Sequence, residues 1–127
     1  MRIRQFAIAL GALALATPQF ASAHTELVSS TPAANSRVAG PTKIDLRFEE
    51  PIIGSTAHAE IAMTGMPGMA DHKPTAVTGF TSKVSSDRKT VTLELARALS
   101  AGTYRVTWSA AGADSHRATG NFSFTVR

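Results

Sequence analysis

The sequence predicts an all-β domain, a β-sandwich or barrel built from about seven short strands. Three observations predict it. Apolar and polar residues alternate with a period of two in most segments after residue 24, as in strands with one buried face. Residues typical of turns recur about every 8–12 residues, the spacing expected of such folds. No stretch after residue 24 has a helical pattern long enough to connect parallel strands.

The first predicted strand is short, at Leu27 and Val28, and a loop rich in Ser, Pro, Ala and Gly follows over residues 29–41. The clearest later strands are those whose apolar residues alternate with polar ones: Ile44, Leu46 and Phe48; Ala57, Ala59, Ile61 and Met63; Val91, Leu93 and Leu95; Tyr104, Val106 and Trp108; and Phe122, Phe124 and Val126. The glycines and prolines of residues 64–74 predict a loop, and residues 77–84 predict a further strand. Residues 96–101 fit one helical turn before Gly102.

These strands would pack as two sheets with their apolar faces together. The largest contributions to the core should come from Trp108, Phe48, Phe122 and Phe124, because aromatic side chains bury the most area. The sequence shows no internal repeat, and its length suits one domain.

The first 23 residues have the organisation of a secretory signal peptide. Arg2 and Arg4 form a basic start, residues 6–16 are apolar, and Ala21-Ser22-Ala23 places small residues before a cleavage site. The apolar run is much shorter than the roughly 20 residues that a membrane-spanning helix needs. We therefore expect cleavage after Ala23, export, and a single mature domain of residues 24–127.

The composition excludes thiolate metal sites and argues against a nucleic-acid partner. The chain contains no cysteine, so a metal cannot be bound through thiolates, and any soft-metal site must use methionine and histidine. The formal net charge is +4, and two of the basic residues lie in the leader. No basic cluster with interleaved aromatic residues is present, which argues against nucleic acid as a partner.

The predicted cleavage would make His24 the first residue of the mature chain. A histidine in that position offers a metal ion both its α-amine and its ring. Asp114 and His116 are two residues apart, so in an extended segment their side chains would point to the same side. Such a pair alone is usually two solvated side chains. With His24 it gives three nitrogens and one carboxylate oxygen, a set that suits tetragonal Cu(II), provided that the first strand lies beside the loop after Trp108.

All methionines of the mature chain lie in the pattern Met63-x-x-Met66-x-x-Met69-x-x-His72. The glycines and the proline between them argue against an amphipathic helix. Thioethers are soft, neutral ligands that favour Cu(I), so these four residues form a candidate Cu(I) site. Met63 also fits the buried face of its strand, which leaves open a role in the core.

Two further side chains, His58 and Glu50, could lie near these sites. Strand alternation places His58 on the face opposite Ile61, towards solvent. Glu50 is mainly expected to be a surface charge, and it is a candidate for a supporting position near the amino terminus rather than for a direct ligand.

From His24 through the segments LVSSTPA, KIDLRF, MTGMPGM and AGTYRVTW to DSHRATGNFSFTV, the chain resembles the CopC family of periplasmic copper-resistance proteins. The resemblance implies a Greek-key β-sandwich of cupredoxin-like, immunoglobulin-like shape and a periplasmic location. It implies a Cu(II) site made by the amine and ring of His24 with Asp114 and His116.

The resemblance also implies a Cu(I) site in the methionine-rich loop, made by Met63, Met66, Met69 and His72. One departure bears on this site. Family members with a full Cu(I) site carry a further methionine just after the loop histidine, whereas this chain has Lys73 there, and its loop is one residue longer before the histidine.

The expected function is that of a monomeric periplasmic protein that buffers or carries Cu(II), and also Cu(I), for copper resistance or homeostasis. It would pass copper to an inner-membrane transporter or to another periplasmic copper protein. The alternative is a copper-dependent oxidative enzyme, because some polysaccharide oxygenases also hold copper through a first-residue histidine. A metal-free interaction module of the cell envelope is also compatible with the fold, but it would leave both metal-binding patterns unexplained.

Overall fold

The alternating segments form strands in the structure, a computed structural model that describes residues 25–69 and 72–127. Within these ranges there are nine strands and one 3-10 turn: β1 (Leu27–Thr31), β2 (Arg37–Val38), β3 (Lys43–Phe48), the 3-10 turn (Gly54–Thr56), β4 (His58–Gly65), β5 (Thr75–Ala76), β6 (Phe80–Val84), β7 (Thr90–Leu95), β8 (Gly102–Ala111) and β9 (Arg117–Val126). In the same part of the chain, no helix is long and apolar enough to cross a membrane.

Two sheets face each other. One has the strand order β1-β3-β7-β6 and the other the order β2-β9-β8-β4-β5. All neighbouring strands are antiparallel except β2, which runs parallel to β9. Within the described residues, the chain passes from one sheet to the other after β1, β2, β3, β5 and β7, so several neighbouring strands are distant in sequence. The predicted all-β sandwich is confirmed. The count exceeds seven because of two strands of two residues each: β2 lies inside the predicted loop 29–41, and β5 lies between the predicted loop 64–74 and the predicted strand 77–84.

The core lies between the two sheets and contains the predicted aromatic residues. Phe48 and Trp108 meet edge to face across the sandwich, with ring centroids 5.1 Å apart. Tyr104 and Phe124 stack at 5.8 Å on neighbouring strands. All four are buried, and Phe122 is also buried. These rings supply much of the apolar burial that stabilises a domain without disulfides.

One local prediction is wrong, and a second is confirmed with a later start. Residues 96–101 form bends rather than a helical turn, because their backbone groups pair elsewhere. The N–H of Leu99 donates to the carbonyl of Pro41 at 3.1 Å, and the hydroxyl of Tyr104 donates to the carbonyl of Ser100 at 2.7 Å. The strand predicted over residues 77–84 starts only at Phe80, after Gly79 with a φ of 80°.

Replacing Gly120 by alanine is expected to destabilise the fold by about 1–3 kcal/mol, the usual cost of overpacking. A Cβ at this position would lie 2.7 Å from Cζ2 and 2.9 Å from Cε2 of Trp108, a ring that the core prevents from moving. Urea unfolding measures the change. Thr119→Ala, an exposed neighbour on β9, is the control, and a Gly120→Ala protein as stable as this control would contradict the packing described.

Candidate metal centres

The turn between β8 and β9 brings together Asp114 and His116. The N–H of His116 donates to Oδ1 of Asp114 at 3.1 Å, and Nδ1 of His116 lies 3.1 Å from Oδ2 of the same carboxylate. Ser115 between them has a φ of 65°, and its N–H donates to the carbonyl of Gly112 at 2.9 Å. The two side chains are therefore in direct contact at one end of the sandwich.

The sequence predicted that Asp114 and His116 would lie close together in an extended segment, and that geometry is wrong. Residues 113–116 form a turn and not an extended segment. In a strand, side chains two residues apart lie side by side about 7 Å from one another. Here the aspartate accepts hydrogen bonds from the residue two positions later, as in the turns that aspartate commonly forms. The turn thus holds the pair closer than strand alternation would.

This geometry determines which imidazole nitrogen can bind a metal ion. With Asp114 ionised, Nδ1 of His116 carries the hydrogen and donates it to the carboxylate, which leaves the lone pair of Nε2 available. The His116 side chain is 89% exposed and that of Asp114 is 39% exposed. The pKa of Asp114 is lowered, mainly because the backbone N–H of His116 donates to it and also because the His116 ring does. The carboxylate is therefore charged throughout the neutral range.

The first described residue packs against the same turn. Thr25 is a buried polar residue, 8% exposed. A Cβ placed on Gly112 would lie 2.5 Å from Oγ1 of Thr25 and 3.5 Å from Oδ1 of Asp114. The start of the described chain is therefore beside the β8–β9 turn, the arrangement that the predicted Cu(II) site requires. His24 itself lies outside the described residues.

Sequence reasoning did not single out Thr25 or Gly112. A polar residue after the predicted cleavage site and a glycine before a turn are common features, so neither carries a distinctive signal. Among residues 25–69 and 72–127, no group of three His, Asp or Glu side chains is placed to hold a metal ion. Within these ranges, Asp114 and His116 therefore form a pair of potential donors and not a set of three.

Glu50 and His58 lie at the surface. Glu50 is exposed in the bend after β3. It follows Glu49, whose N–H donates to the carbonyl of Glu26 at 2.9 Å, so Glu50 is close in sequence to a residue that pairs with the start of the described chain. His58 is exposed at the beginning of β4, as strand alternation predicted.

The methionine-rich segment ends β4 in a tight hairpin. The backbones of Met66 and Met69 exchange two N–H···O=C hydrogen bonds, both 2.9 Å long. Pro67 and Gly68 form the turn between them, and Gly68 has a φ of 81°, which suits the third position of a type II turn. Directly opposed residues in such a hairpin project on the same face. Met66 and Met69 are 44% and 52% exposed, so two thioethers are presented together to solvent.

His72 returns alongside the end of β4. Its N–H donates to the carbonyl of Thr64 at 3.2 Å, and its Nδ1 lies 2.7 Å from the carbonyl oxygen of Lys73. Because a carbonyl can only accept, Nδ1 carries the hydrogen and Nε2 has a lone pair. Nε2 is buried and has no hydrogen-bond partner among the described residues. A buried polar atom without a partner costs about 1–3 kcal/mol, and a bound cation would satisfy it. The available donors therefore fit a soft metal ion.

Met63 has a different environment. It lies within β4, opposite Tyr104 on β8, and is partly buried against the core. It lines a cavity of about 420 Å³ together with Leu95 and Leu99. Its Cε would be 3.1 Å from a Cβ on Gly102. The structure therefore places Met63 on the core face of its strand, the alternative that the sequence left open.

The two groups of potential ligands lie at opposite ends of the sandwich. In the pairing of β4 with β8, Gly65 is opposite Thr103, whereas the β8–β9 turn follows Ala111. Thr103 and Ala111 are about eight residues apart along β8, which corresponds to roughly 26 Å at about 3.3 Å per residue. One ion could not contact both groups of side chains at this separation.

Comparison with known proteins gives a consistent result. The family model described as CopC domain matches residues 27–127. Copper resistance protein C of Escherichia coli is 42% identical over 127 residues, covering 100% of both chains. Copper resistance protein C of Pseudomonas syringae pv. tomato is 42% identical over 120 residues, 94% of each chain. The crystal structure of PcoC, a methionine rich copper resistance protein from Escherichia coli, has a TM-score of 0.74 and 42% identity, covering 83% of this chain and 100% of that one.

Proposed function

The chain belongs to the CopC family, and on that premise we propose that it is a periplasmic copper-binding protein that buffers and carries copper for resistance or homeostasis. It would bind Cu(II) at the β8–β9 turn and Cu(I) at the methionine hairpin. The names of its relatives support copper as the metal and copper resistance as the process.

The observation that carries this proposal is the position of Thr25 against the turn that holds Asp114 and His116. His24 precedes Thr25 directly, and consecutive Cα atoms are about 3.8 Å apart. Cleavage after Ala23 would therefore create an amine close to the pair. We propose that the amine and ring of His24, Nε2 of His116 and a carboxylate oxygen of Asp114 bind Cu(II). An imidazole whose other nitrogen donates to a carboxylate is a common arrangement in metal sites.

For Cu(I) we propose the thioethers of Met66 and Met69 and Nε2 of His72 as donors. The hairpin already presents the two sulfur atoms on one face, and Nε2 needs a partner. Met63, the fourth predicted member, could join only by leaving the core face of β4. Lys73 stands where a further methionine would follow the histidine, so Met66, Met69 and His72 are the three donors that we propose.

Both sites lie at ends of the sandwich, and His116, Met66 and Met69 are exposed there, an arrangement suited to transferring copper to a partner rather than storing it in the interior. The proposed recipients are an inner-membrane copper transporter or another periplasmic copper protein, and the proposed state is a monomer. The proposed location is the periplasm, and it is supported by the signal-peptide pattern of residues 1–23, which lie outside the described residues.

Cu(II) affinity is expected to fall as pH decreases from about 8 to 6, whereas Cu(I) affinity falls less. Free amines and imidazoles titrate at about 7.7–8.0 and 6.5, and a metal competes with protons for both. The pKa of Asp114 lies below its ordinary value of 3.8, so protonation of the carboxylate contributes nothing in this range. Competition titrations at several pH values measure the slope. A Cu(II) affinity that stays constant until pH 4 would contradict nitrogen coordination.

Separate titrations with Cu(I) and Cu(II) test the proposed function. Two ions of different oxidation state should bind together, because the sites are far apart. Competition between them for one site would contradict the proposal. The competing function is a copper-dependent oxidative enzyme, and oxygen consumption by the copper-loaded protein that depends on chitin or cellulose would favour it over a carrier.

A further inference from the structure

One side of the sandwich carries a groove between β1 and β9, the β1–β9 groove. Two adjoining cavities of about 370 and 340 Å³ form it, and both are lined by Leu27, Ala34 and Phe122. Trp108 and Ala118 line the larger cavity. Trp108 and Phe122 are 6% and 8% exposed, so the edges of both rings reach the groove. Its floor is therefore apolar.

Main-chain hydrogen bonds show which groups of β9 face this side. The carbonyl of Ser123 accepts from the N–H of Asn35 at 2.7 Å, and the N–H of Thr125 donates to the carbonyl of Ser36 at 2.9 Å. Ser123 and Thr125 therefore direct their main-chain groups away from β8. The ladder between β8 and β9 runs without a bulge along the whole of β9. Since main-chain groups alternate in direction along such a ladder, every second residue before Ser123 faces the same way.

Thr119 and Asn121 thus turn their N–H and C=O groups towards the groove, which is lined by residues 118–122. β2 pairs with β9 only at Thr125 and Val126, and no described residue hydrogen-bonds to the main chain of Thr119 or Asn121 on this side. Proline and charged residues commonly protect such edges from pairing. Residues 118–122 contain neither, so this edge is open to another strand.

We propose that the β1–β9 groove binds an extended segment of a partner protein, which adds as a further strand to the free edge of β9. The main chain of the segment pairs with Thr119 and Asn121, and every second side chain enters the groove. Apolar and polar residues should therefore alternate in it. The edge from Arg117 to Phe122 is about 20 Å long at about 3.3 Å per residue, which suits a segment of about six residues.

A second copy of this chain fits the edge less well. Antiparallel pairing of two β9 edges would bring the β8–β9 turn of each copy against residues 33–37 of the other. That segment already lies beside β9 at Ser123 and Thr125. A short extended segment avoids this obstacle, because it can end before Ser123.

The groove adjoins the proposed Cu(II) site. Thr25 lines it at one end, and Ala118 lies two residues after His116. A segment bound there lies beside the turn that holds Asp114 and His116, where a recipient of copper has to approach. In identifying the partner as that recipient, the inference rests on the proposed function, whereas the pairing of strands does not depend on copper.

Amide hydrogen exchange of the metal-free protein, followed by nuclear magnetic resonance, tests the free edge. Thr119 and Asn121 should exchange rapidly, whereas Gly120 and Phe122, whose amides face β8, should be protected. A capped peptide of alternating valine and threonine is the probe. It should slow exchange at Thr119 and Asn121 and shift their resonances. Protection of these two amides in the free protein, or a peptide that leaves both unchanged, would overturn the proposal.

Thr119→Pro distinguishes strand pairing from unspecific adhesion of the peptide. It removes the N–H that faces the groove and none from the ladder with β8, and proline is tolerated at edge positions of this kind. The affinity for the peptide should fall at least about 5-fold, as expected for the loss of one main-chain hydrogen bond. The exchange pattern of the wild type does not depend on whether this variant folds.

Ser82→Pro is the matched control on the edge strand β6. The N–H of Ser85 donates to the carbonyl of Thr90, so by alternation along β6 the N–H of Ser82 faces away from β7. This variant should bind the peptide as the wild type does. Equal affinities of Thr119→Pro and Ser82→Pro for the peptide would show that the peptide does not pair with β9.

The link to copper has its own readout. With Cu(II) bound to a chain that begins at His24, the paramagnetic ion should broaden the resonances of the bound peptide. A peptide that binds at Thr119 but keeps sharp resonances would overturn the role of the groove in copper transfer. A chain that does not bind Cu(II) at all would overturn the proposed function and leave the pairing of strands standing.

Discussion

Replacing His116 by alanine is expected to abolish tight Cu(II) binding and to leave Cu(I) binding intact. The substitution removes Nε2, the nitrogen that the contact between Nδ1 and Asp114 leaves available. Loss of a partner that only orients a ligand costs about 10–100-fold in metal affinity, so loss of the ligand itself should cost more than about 100-fold. Competition titration with a Cu(II) chelator measures the change.

The side chain of His116 is exposed and makes no packing contribution to the core, so the variant should unfold at the same urea concentration as the wild type. His58→Ala, which removes another exposed histidine on β4, is the control and should bind Cu(II) normally. Equal Cu(II) affinities in the two variants would exclude the β8–β9 turn as the site.

The double variant Met66→Leu with Met69→Leu is expected to have a Cu(I) affinity more than about 10-fold lower than that of the wild type and an unchanged Cu(II) affinity. Leucine preserves the apolar volume of each side chain but has no sulfur lone pair. The hairpin itself should persist, because Pro67 and Gly68 determine the turn. Titration of Cu(I) against a chromophoric chelator under anaerobic conditions gives the affinity.

Met63→Leu is the matched control, since it makes the same chemical change on the core face of β4. It is expected to retain Cu(I) affinity. If instead it weakens Cu(I) binding as much as the double variant does, Met63 is a ligand and must leave the core when copper binds. If the double variant binds Cu(I) normally, the ion is bound elsewhere.

The strands with one buried face could be predicted from the sequence because their burial has a period of two. In β3, for example, Ile44, Leu46 and Phe48 are buried while Lys43 and Arg47 are exposed. The strands β2 and β5 could not be predicted, because two residues are too few to show a period, and their pairing depends on β9 and β4. The bends at residues 96–101 were missed for a similar reason, since their hydrogen-bond partners lie in other segments.

The candidate sites were predicted less completely than the fold. Residue types and their spacing point to Asp114, His116 and the methionines as candidate ligands, but strand alternation gave the wrong geometry for the first pair. The carboxylate of Asp114 and the backbone of His116 form a turn whose details depend on Gly112 and Ser115. The position of Thr25 depends on contacts between residues more than 80 apart in sequence, which no local pattern contains.

The most direct measurement is a Cu(II) titration followed by electron paramagnetic resonance on two proteins, one that begins at His24 and one with a single glycine added before it. The account predicts that the first binds tightly with several coupled nitrogens and that the second binds much more weakly with a changed spectrum, because its α-amine has moved away. Identical spectra and affinities for the two proteins would show that the amine of His24 is not a copper ligand.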